Sequence, residues 1–176
     1  MKSRLLLLPL APLALTAPAY AVTYLTVEQA QTLMFEGHSL ARDFRTLTAE
    51  QMQAIEKDSG VRVTNPNLAA WRDDSGDYFL LDQVIGKHEV INYALALDAT
   101  GVVRQLEILD YHESYGGEVH LPAWRRQFVG KKHGSPVELD KDIKNISGAT
   151  LSCSHVTEGV RRLLSTYAIV LAPRIG

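Results

Sequence analysis

The chain has 176 residues, with 18 Lys and Arg against 20 Asp and Glu, a formal net charge of −2, and 46% hydrophobic residues. That balance gives no electrostatic footprint for nucleic acid, and the single cysteine, Cys153, excludes an internal disulfide framework. What remains is a chain about the size of one domain, whose core must hold the fold unaided.

Lys2 and Arg4 precede an apolar run from Leu5 to Leu15, and Ala19-Tyr20-Ala21 supplies a small-x-small cleavage site, so residues 1–21 read as a signal peptide. The run is shorter than the roughly 20 residues a spanning helix needs, and no later stretch is longer. No cysteine follows it to take a lipid. The mature chain is therefore expected to start at Val22, to have no direct membrane anchor, and to be periplasmic.

Two helices announce themselves by their starts. Thr26 with Gln29 and Thr48 with Gln51 match the reciprocal capping box, and Leu47 with Met52 fits the hydrophobic staple. The spacing predicts helices over Thr26 to Phe35 and Thr48 to Lys57, stopped by Gly60, as a helical extension over residues 22–70. A polar stretch around Asn65-Pro66-Asn67 leads away from it.

Residues 71–176 read as the main domain. Tyr78 to Val84, Glu89 to Leu97 and Val102 to Tyr111 are strand-like runs separated by Gly86-Lys87 and by Asp98-Ala99-Thr100-Gly101, which predicts an antiparallel meander. The second run places Ile91, Tyr93, Leu95 and Leu97 on one face and Val90, Asn92, Ala94 and Ala96 on the other, so both faces are suited to packing. From His112 to Ile146 the periodicity fails among Gly116, Gly117, Pro122, Gly130, Gly134 and Pro136, and long irregular segments in compact domains tend to be functional. The chain closes with an amphipathic helix, Val156, Val160, Leu163, Leu164 and Tyr167 on one stripe and Glu158, Arg161, Arg162 and Ser165 on the other. The expected class is α+β: an antiparallel β-meander packed against helices, with an N-terminal helical extension.

Before that last helix stands Ser147-Gly148-Ala149-Thr150-Leu151-Ser152. Glycine and alanine admit a ligand close to the backbone, three hydroxyls can donate to anionic oxygens, and the helix start directs its orphan N–H groups to the same place. The stretch is an anion cradle or, on the plainer reading, a helix start in a serine-rich loop. Trp124 and Phe128 are each either core or contacts for a flat ligand. His112 and His120, near Glu113 and Glu118, form a loose metal candidate without tight ligand spacing. His155 reads as a phosphate neighbour or a surface residue, and Cys153 as a small buried hydrophobe.

The run Ser-Gly-Ala-Thr-Leu-Ser before a terminal amphipathic helix closely resembles the attachment signature of the FMN-binding domain family. Tyr111-His112-Glu113-Ser114-Tyr115-Gly116-Gly117-Glu118 resembles that family's Glu-Thr-Pro-Gly loop, followed in order by Trp124, Phe128 and Gly130-Lys131. The resemblance covers the C-terminal half. Lys144 stands where the family pattern has Asp, and Ser114-Tyr115 replaces the Thr-Pro pair. The resemblance implies FMN held covalently, by a phosphoester to Thr150, with Ser147, Gly148, Ala149, Leu151 and Ser152 around it. It further implies Glu113, Tyr115, Gly116 and Trp124 near the isoalloxazine ring, and Lys131 within the binding region. The implied partners are a flavin transferase for maturation and redox proteins, soluble or membrane-bound, for an exported electron-transfer carrier rather than a stand-alone enzyme. The rival expectations are a flavin-dependent reductase of a small acceptor such as a ferric chelate, and a flavin-free metal-binding or interaction module.

Overall fold

The computed structural model describes residues 22–113 and 116–173. The signal peptide expected over residues 1–21 and the ring-contact candidate Tyr115 lie outside the described residues. The chain begins with a short strand β1 (Val22–Thr23), helix α1 (Val27–Met34), two short strands β2 (Ala41–Arg42) and β3 (Arg45–Thr46), and helix α2 (Ala49–Ser59). Strands β4 (Asn67–Arg72), β5 (Tyr78–Ile85), β6 (Val90–Leu97) and β7 (Val103–Tyr111) follow, then short helical turns, and finally helix α4 (Thr150–Thr166) after α3 (Pro122–Arg125).

Every pairing in the sheet is antiparallel, in the order β1-β7-β6-β5-β4-β2, with β3 also on β4. The meander of β5, β6 and β7 agrees with the sequence expectation. The segment before it does more than add helices, because β1 extends the sheet at β7 while β2 and β3 extend it at β4. The boundary expected between residues 70 and 71 falls inside β4.

Both faces of the sheet are covered, as the composition of β6 requires. Ile91, Tyr93, Leu95 and Leu97 meet Val156, Val160, Leu163 and Leu164 of α4 in the larger core. Ala94 and Ala96 leave room on the other face for α1, which packs Ala30 and Met34, with Phe35 at its C-cap, beside Phe79 and Leu109. Small side chains on a strand let a helix approach closely.

Two bulges in β7 decide which of its residues face α4. The register shifts opposite Asn92/Tyr93 and opposite Ala96/Leu97. Without the first, Tyr111 would follow the alternation of Ile108 onto the α1 face. With the extra residue, Ile108 and Tyr111 both join the α4 core, while Leu109 joins the α1 core.

Helix α4 is held against the sheet at a glycine. A Cβ at Gly159 would stand 2.4 Å from the Tyr93 hydroxyl and 2.9 Å from Val84 Cγ1, so only glycine lets the helix lie this close. The polar face predicted on this helix is not a simple solvent face. Ser165 is buried and donates to Asp58 of α2 at 2.5 Å, Arg161 donates to the Ser59 carbonyl at 2.7 Å, and Arg162 donates to Asp82 at 2.6 Å. Tyr93 donates to the same Asp82 oxygen at 2.7 Å, so the polar face is an interior seam between α4, α2 and the sheet. Leu47, Ile55 and Val63 close that seam as a third apolar cluster, with Met52 packed against it as the staple requires.

Candidate functional site

The start of α4 is set by the loop before it. The indole N–H of Trp124 donates to the Lys144 carbonyl at 2.8 Å, and the Lys144 amide donates to Gln127 Oε1 at 2.8 Å. The segment around α3 therefore grips residue 144 by both backbone groups. Lys131 pairs with Asp142 at 2.6 Å, and Asp142 also accepts the Glu138 amide at 2.8 Å, which fixes the turn just upstream. Gly148 takes a left-handed φ of +86°, and no atom of the described residues lies within 4 Å of where its Cβ would be, so the described residues leave room at the bend before the helix.

Thr150 is the first helical residue and is exposed, whereas Ala149 before it is buried and has no side chain able to cap. The first-turn N–H groups of a helix have no intrahelical partners. Among the described residues no side chain caps α4. Ser147 and Gly148 are exposed, and Leu151 presents 46% of its surface. A 17-residue helix, with no side-chain cap among the described residues, thus brings its positive end to small residues and the exposed Thr150.

The loop after β7 meets this helix start directly. Ser152 is buried, and its hydroxyl and that of Tyr111 are hydrogen-bonded at 2.8 Å. Gly116 has φ +88°, and a Cβ there would stand 2.7 Å from the Tyr111 hydroxyl, 3.2 Å from Ala149 Cα and 3.2 Å from Ser152 Oγ. A side chain at 116 would collide with the helix start. Burial pushes the Tyr111 phenol above its ordinary value, so it stays protonated and available to donate.

Glu113 reaches backward to the β5–β6 turn. Its Oε1 accepts the Glu89 amide at 2.9 Å and the His88 amide as well. His155 ties the same turn to α4, its Nδ1–H donating to the Gly86 carbonyl at 2.9 Å. That bond fixes the tautomer and makes His155 a structural strut. A Cβ at Gly86 would lie 2.8 Å from Glu113 Oε1, so a side chain there would press on the carboxylate that binds this turn.

The structure thus gathers most of the residues singled out in the sequence, in three different capacities. Ser147, Gly148, Thr150 and Leu151 face outward at the helix start; Ala149, Ser152 and Gly116 form the packed layer beneath them. Trp124 is only 4% exposed, edge-to-face with Phe128 at 5.1 Å, and supports the loop from behind. Glu113 and Lys131 are occupied by the turn and by Asp142 respectively. His120 stacks on Tyr24 at 4.4 Å, and among the described residues no three His, Cys, Asp or Glu side chains converge as metal ligands. Cys153 is fully buried, and burial raises its thiol above the ordinary value.

Sequence reasoning missed Tyr111, Asn145 and Arg125. Tyr111 faces the site because of a bulge, which a strict alternation hides. Asn145 donates from Nδ2 to Thr150 Oγ1 at 3.2 Å, and its position two residues before Ser147 was the only available signal. Arg125 donates to the carbonyls of His120 at 2.7 Å and Leu106 at 2.6 Å and pairs with the buried Glu107, clamping the loop to β7. A separate cavity of about 380 Å³ is lined by Arg62, Gln83, Ile85, His155 and Arg162, and includes none of residues 147–152. No described helix is long and apolar enough to cross a membrane.

The model of the FMN-binding domain family matches residues 86–165, from the β5–β6 turn through most of α4. Both motif loops, the strut at His155 and the glycine contact at Gly159 fall within that span. None of the curated proteins matches the chain.

Proposed function

We propose, from the membership of residues 86–165 in the FMN-binding domain family, that this flavin-binding chain is an exported electron carrier whose FMN is esterified to the Thr150 hydroxyl. One observation carries the reading: Thr150 stands exposed at the first position of a helix that no side chain caps among the described residues, so its hydroxyl lies beside the helix's first-turn N–H groups. A phosphate monoester fits that donor set, since backbone amides and the helix dipole favour its charge while Gly148 leaves room for it.

The bound FMN would supply the electron-accepting and electron-donating chemistry. The chain's own part is to fix and tune it. Ser147 and Ser152 flank the attachment point, and Leu151 offers an apolar surface to a flat ring at the edge of the site. Tyr111, Gly116 and Ser152 keep the layer beneath rigid. A covalent tether suits an exported carrier, because flavin lost outside the cytoplasm is not readily replaced. Export rests on Lys2, Arg4, the apolar run to Leu15 and Ala19-Tyr20-Ala21. A flavin transferase would install the cofactor, and redox proteins would exchange electrons at the exposed edge.

The deciding experiment is intact mass after co-expression with a flavin transferase in the periplasm. The mature chain should begin at Val22 and be heavier by one FMN less one water, with flavin surviving denaturation. Thr150→Ala should be folded and colourless, and Thr150→Ser partly loaded, because only the ester oxygen is essential. Flavin that stays on Thr150→Ala through unfolding would place the attachment elsewhere.

A further inference from the structure

We propose that Asn145 is a positioning residue for the Thr150 hydroxyl during flavin attachment, an inference that rests on the esterification proposed above. The amide spans the tight turn that begins the helix. Its Nδ2 lies 3.2 Å from Thr150 Oγ1, while the Ala149 amide donates to the Ile146 carbonyl at 2.9 Å beneath it. Lys144, the residue before it, is held by both its backbone groups to Gln127 and Trp124, so the side chain of Asn145 starts from a fixed backbone.

The other end of the same amide carries a second observation. Asn145 Oδ1 is buried and has no hydrogen-bond partner among the described residues. Buried polar atoms without partners are few in folded chains, and each asks for a reason. Oxygen and nitrogen of an amide occupy nearly the same space, so the orientation is set by what Thr150 offers. Free threonine has an Oγ–H to give, which favours Oδ1 facing it. An esterified threonine has no proton and adds phosphate oxygens, which favours Nδ2 facing it.

One side chain therefore serves both sides of the attachment. Before it, the amide, turned over from the orientation in which Nδ2 faces Thr150, accepts a hydrogen bond from the Thr150 O–H at Oδ1 and leaves an Oγ lone pair turned outward. The co-reactant is a flavin nucleotide bearing a pyrophosphate. A bond forms between Thr150 Oγ and the flavin-side phosphorus, the bond from that phosphorus to the bridging oxygen breaks, and a nucleoside monophosphate leaves. The threonine proton passes to a base of the transferase or to water, and no oxidation state changes. Afterward, Nδ2 donates to the ester or phosphate oxygen. A carboxylate at 145 would serve only the first state and would repel the product phosphate; a methyl group would serve neither.

The test is a time course of attachment to the purified mature chain by a flavin transferase with a flavin dinucleotide, read by intact mass, alongside thermal melts. Asn145→Ala should fold normally and be modified roughly tenfold more slowly or worse, the scale on which misplaced reacting groups cost rate. Asn145→Asp should recover much of the rate at neutral pH and lose it as pH falls through the carboxylate range, a limb absent from the wild type. Should Asn145→Ala prove unfolded, the acid limb of Asn145→Asp decides alone, and its absence overturns the proposal. Modification of a folded Asn145→Ala at the wild-type rate, with Thr150→Ala unmodified, overturns the role of Asn145 only. A modified Thr150→Ala, or an unmodified wild type, overturns the attachment at Thr150 and this inference with it.

Discussion

Three of the described helices begin near a threonine, and the three threonines are spent differently. Thr26 and Thr48 stand at the cap position, where each hydroxyl accepts the amide three residues on at 3.2 Å and each cap amide donates back to a glutamine, at 2.8 and 2.9 Å. Thr150 stands one position later, inside the first turn of α4, behind a cap residue with φ −118° and no side-chain oxygen. Its hydroxyl is free of the backbone that the other two are bound to. A structural helix consumes its hydroxyl to satisfy its own orphan donors; among the described residues no side chain takes up the donors of α4, and Thr150 is exposed, which suits an anionic group bonded through that oxygen.

The strongest way to break the contrast is to move α4 itself. Gly159→Ala places a methyl group against the Tyr93 hydroxyl and Val84, both packed in the sheet, and should cost about 1–3 kcal/mol by overpacking. Because the helix must lift, the Tyr111–Ser152 contact at its start should loosen, and flavin loading should fall with stability. Denaturant titration reads the first and intact mass the second; an alanine variant as stable as the parent would mean that the helix is not held at this contact.

The contrast is sharpened by alanine at the three threonines. Thr48→Ala and Thr26→Ala each lose a capping-box bond and should destabilise by about 1 kcal/mol. Thr150→Ala loses only the long contact with Asn145 and should change stability by less than about 0.5 kcal/mol while abolishing covalent flavin. Equal costs at all three positions, measured as shifts in denaturation midpoint at constant slope, would mean that Thr150 caps after all.

The two capped helices were legible because a capping box is a local pattern that names its own partners. The meander was legible for a similar reason, since β5, β6 and β7 alternate over eight or nine residues each between turn-forming stretches. Strand β4 escaped notice because Asn67-Leu-Ala-Ala-Trp-Arg carries two alanines where β-branched residues would signal a strand, and its place is dictated by β5 beside it. Strands β1, β2 and β3 are two residues each, too short to show a period. At the site, the Ser-Gly-Ala-Thr run could be read as a motif, whereas the tasks of Glu113 and Trp124 could not. Both depend on backbone groups 20 or more residues away, the Glu89 and His88 amides in one case and the Lys144 carbonyl in the other. The polar face of α4 was misleading for the same reason, its partners Asp58 and Ser59 lying more than 100 positions back in the chain.

The smallest effect expected is the acid response of the turn beside the site. Burial pushes the Glu113 carboxyl up, but the Glu89, His88 and Lys87 amides together outweigh it and hold the group below its ordinary value of 4.5. A group whose value is lower folded than unfolded stabilises the fold fully above the unfolded value, and that contribution drains away as pH falls through the folded one. Glu113→Gln keeps an oxygen for the amides and removes only the charge, so the parent should be more stable at pH 7 by less than about 1 kcal/mol for this partly exposed group. The difference should shrink below pH 4.5 and vanish once the parent's carboxyl is protonated. Other carboxyls held low, such as Asp58 and Asp142, remain in both proteins and cancel in the comparison. Paired denaturation curves at pH 7 and in the acid range give the result. A difference that stays constant with pH would assign the cost to altered packing at Gly86, whose hydrogens face that carboxylate, instead of to the charge that ties the β5–β6 turn to the loop beneath the helix start.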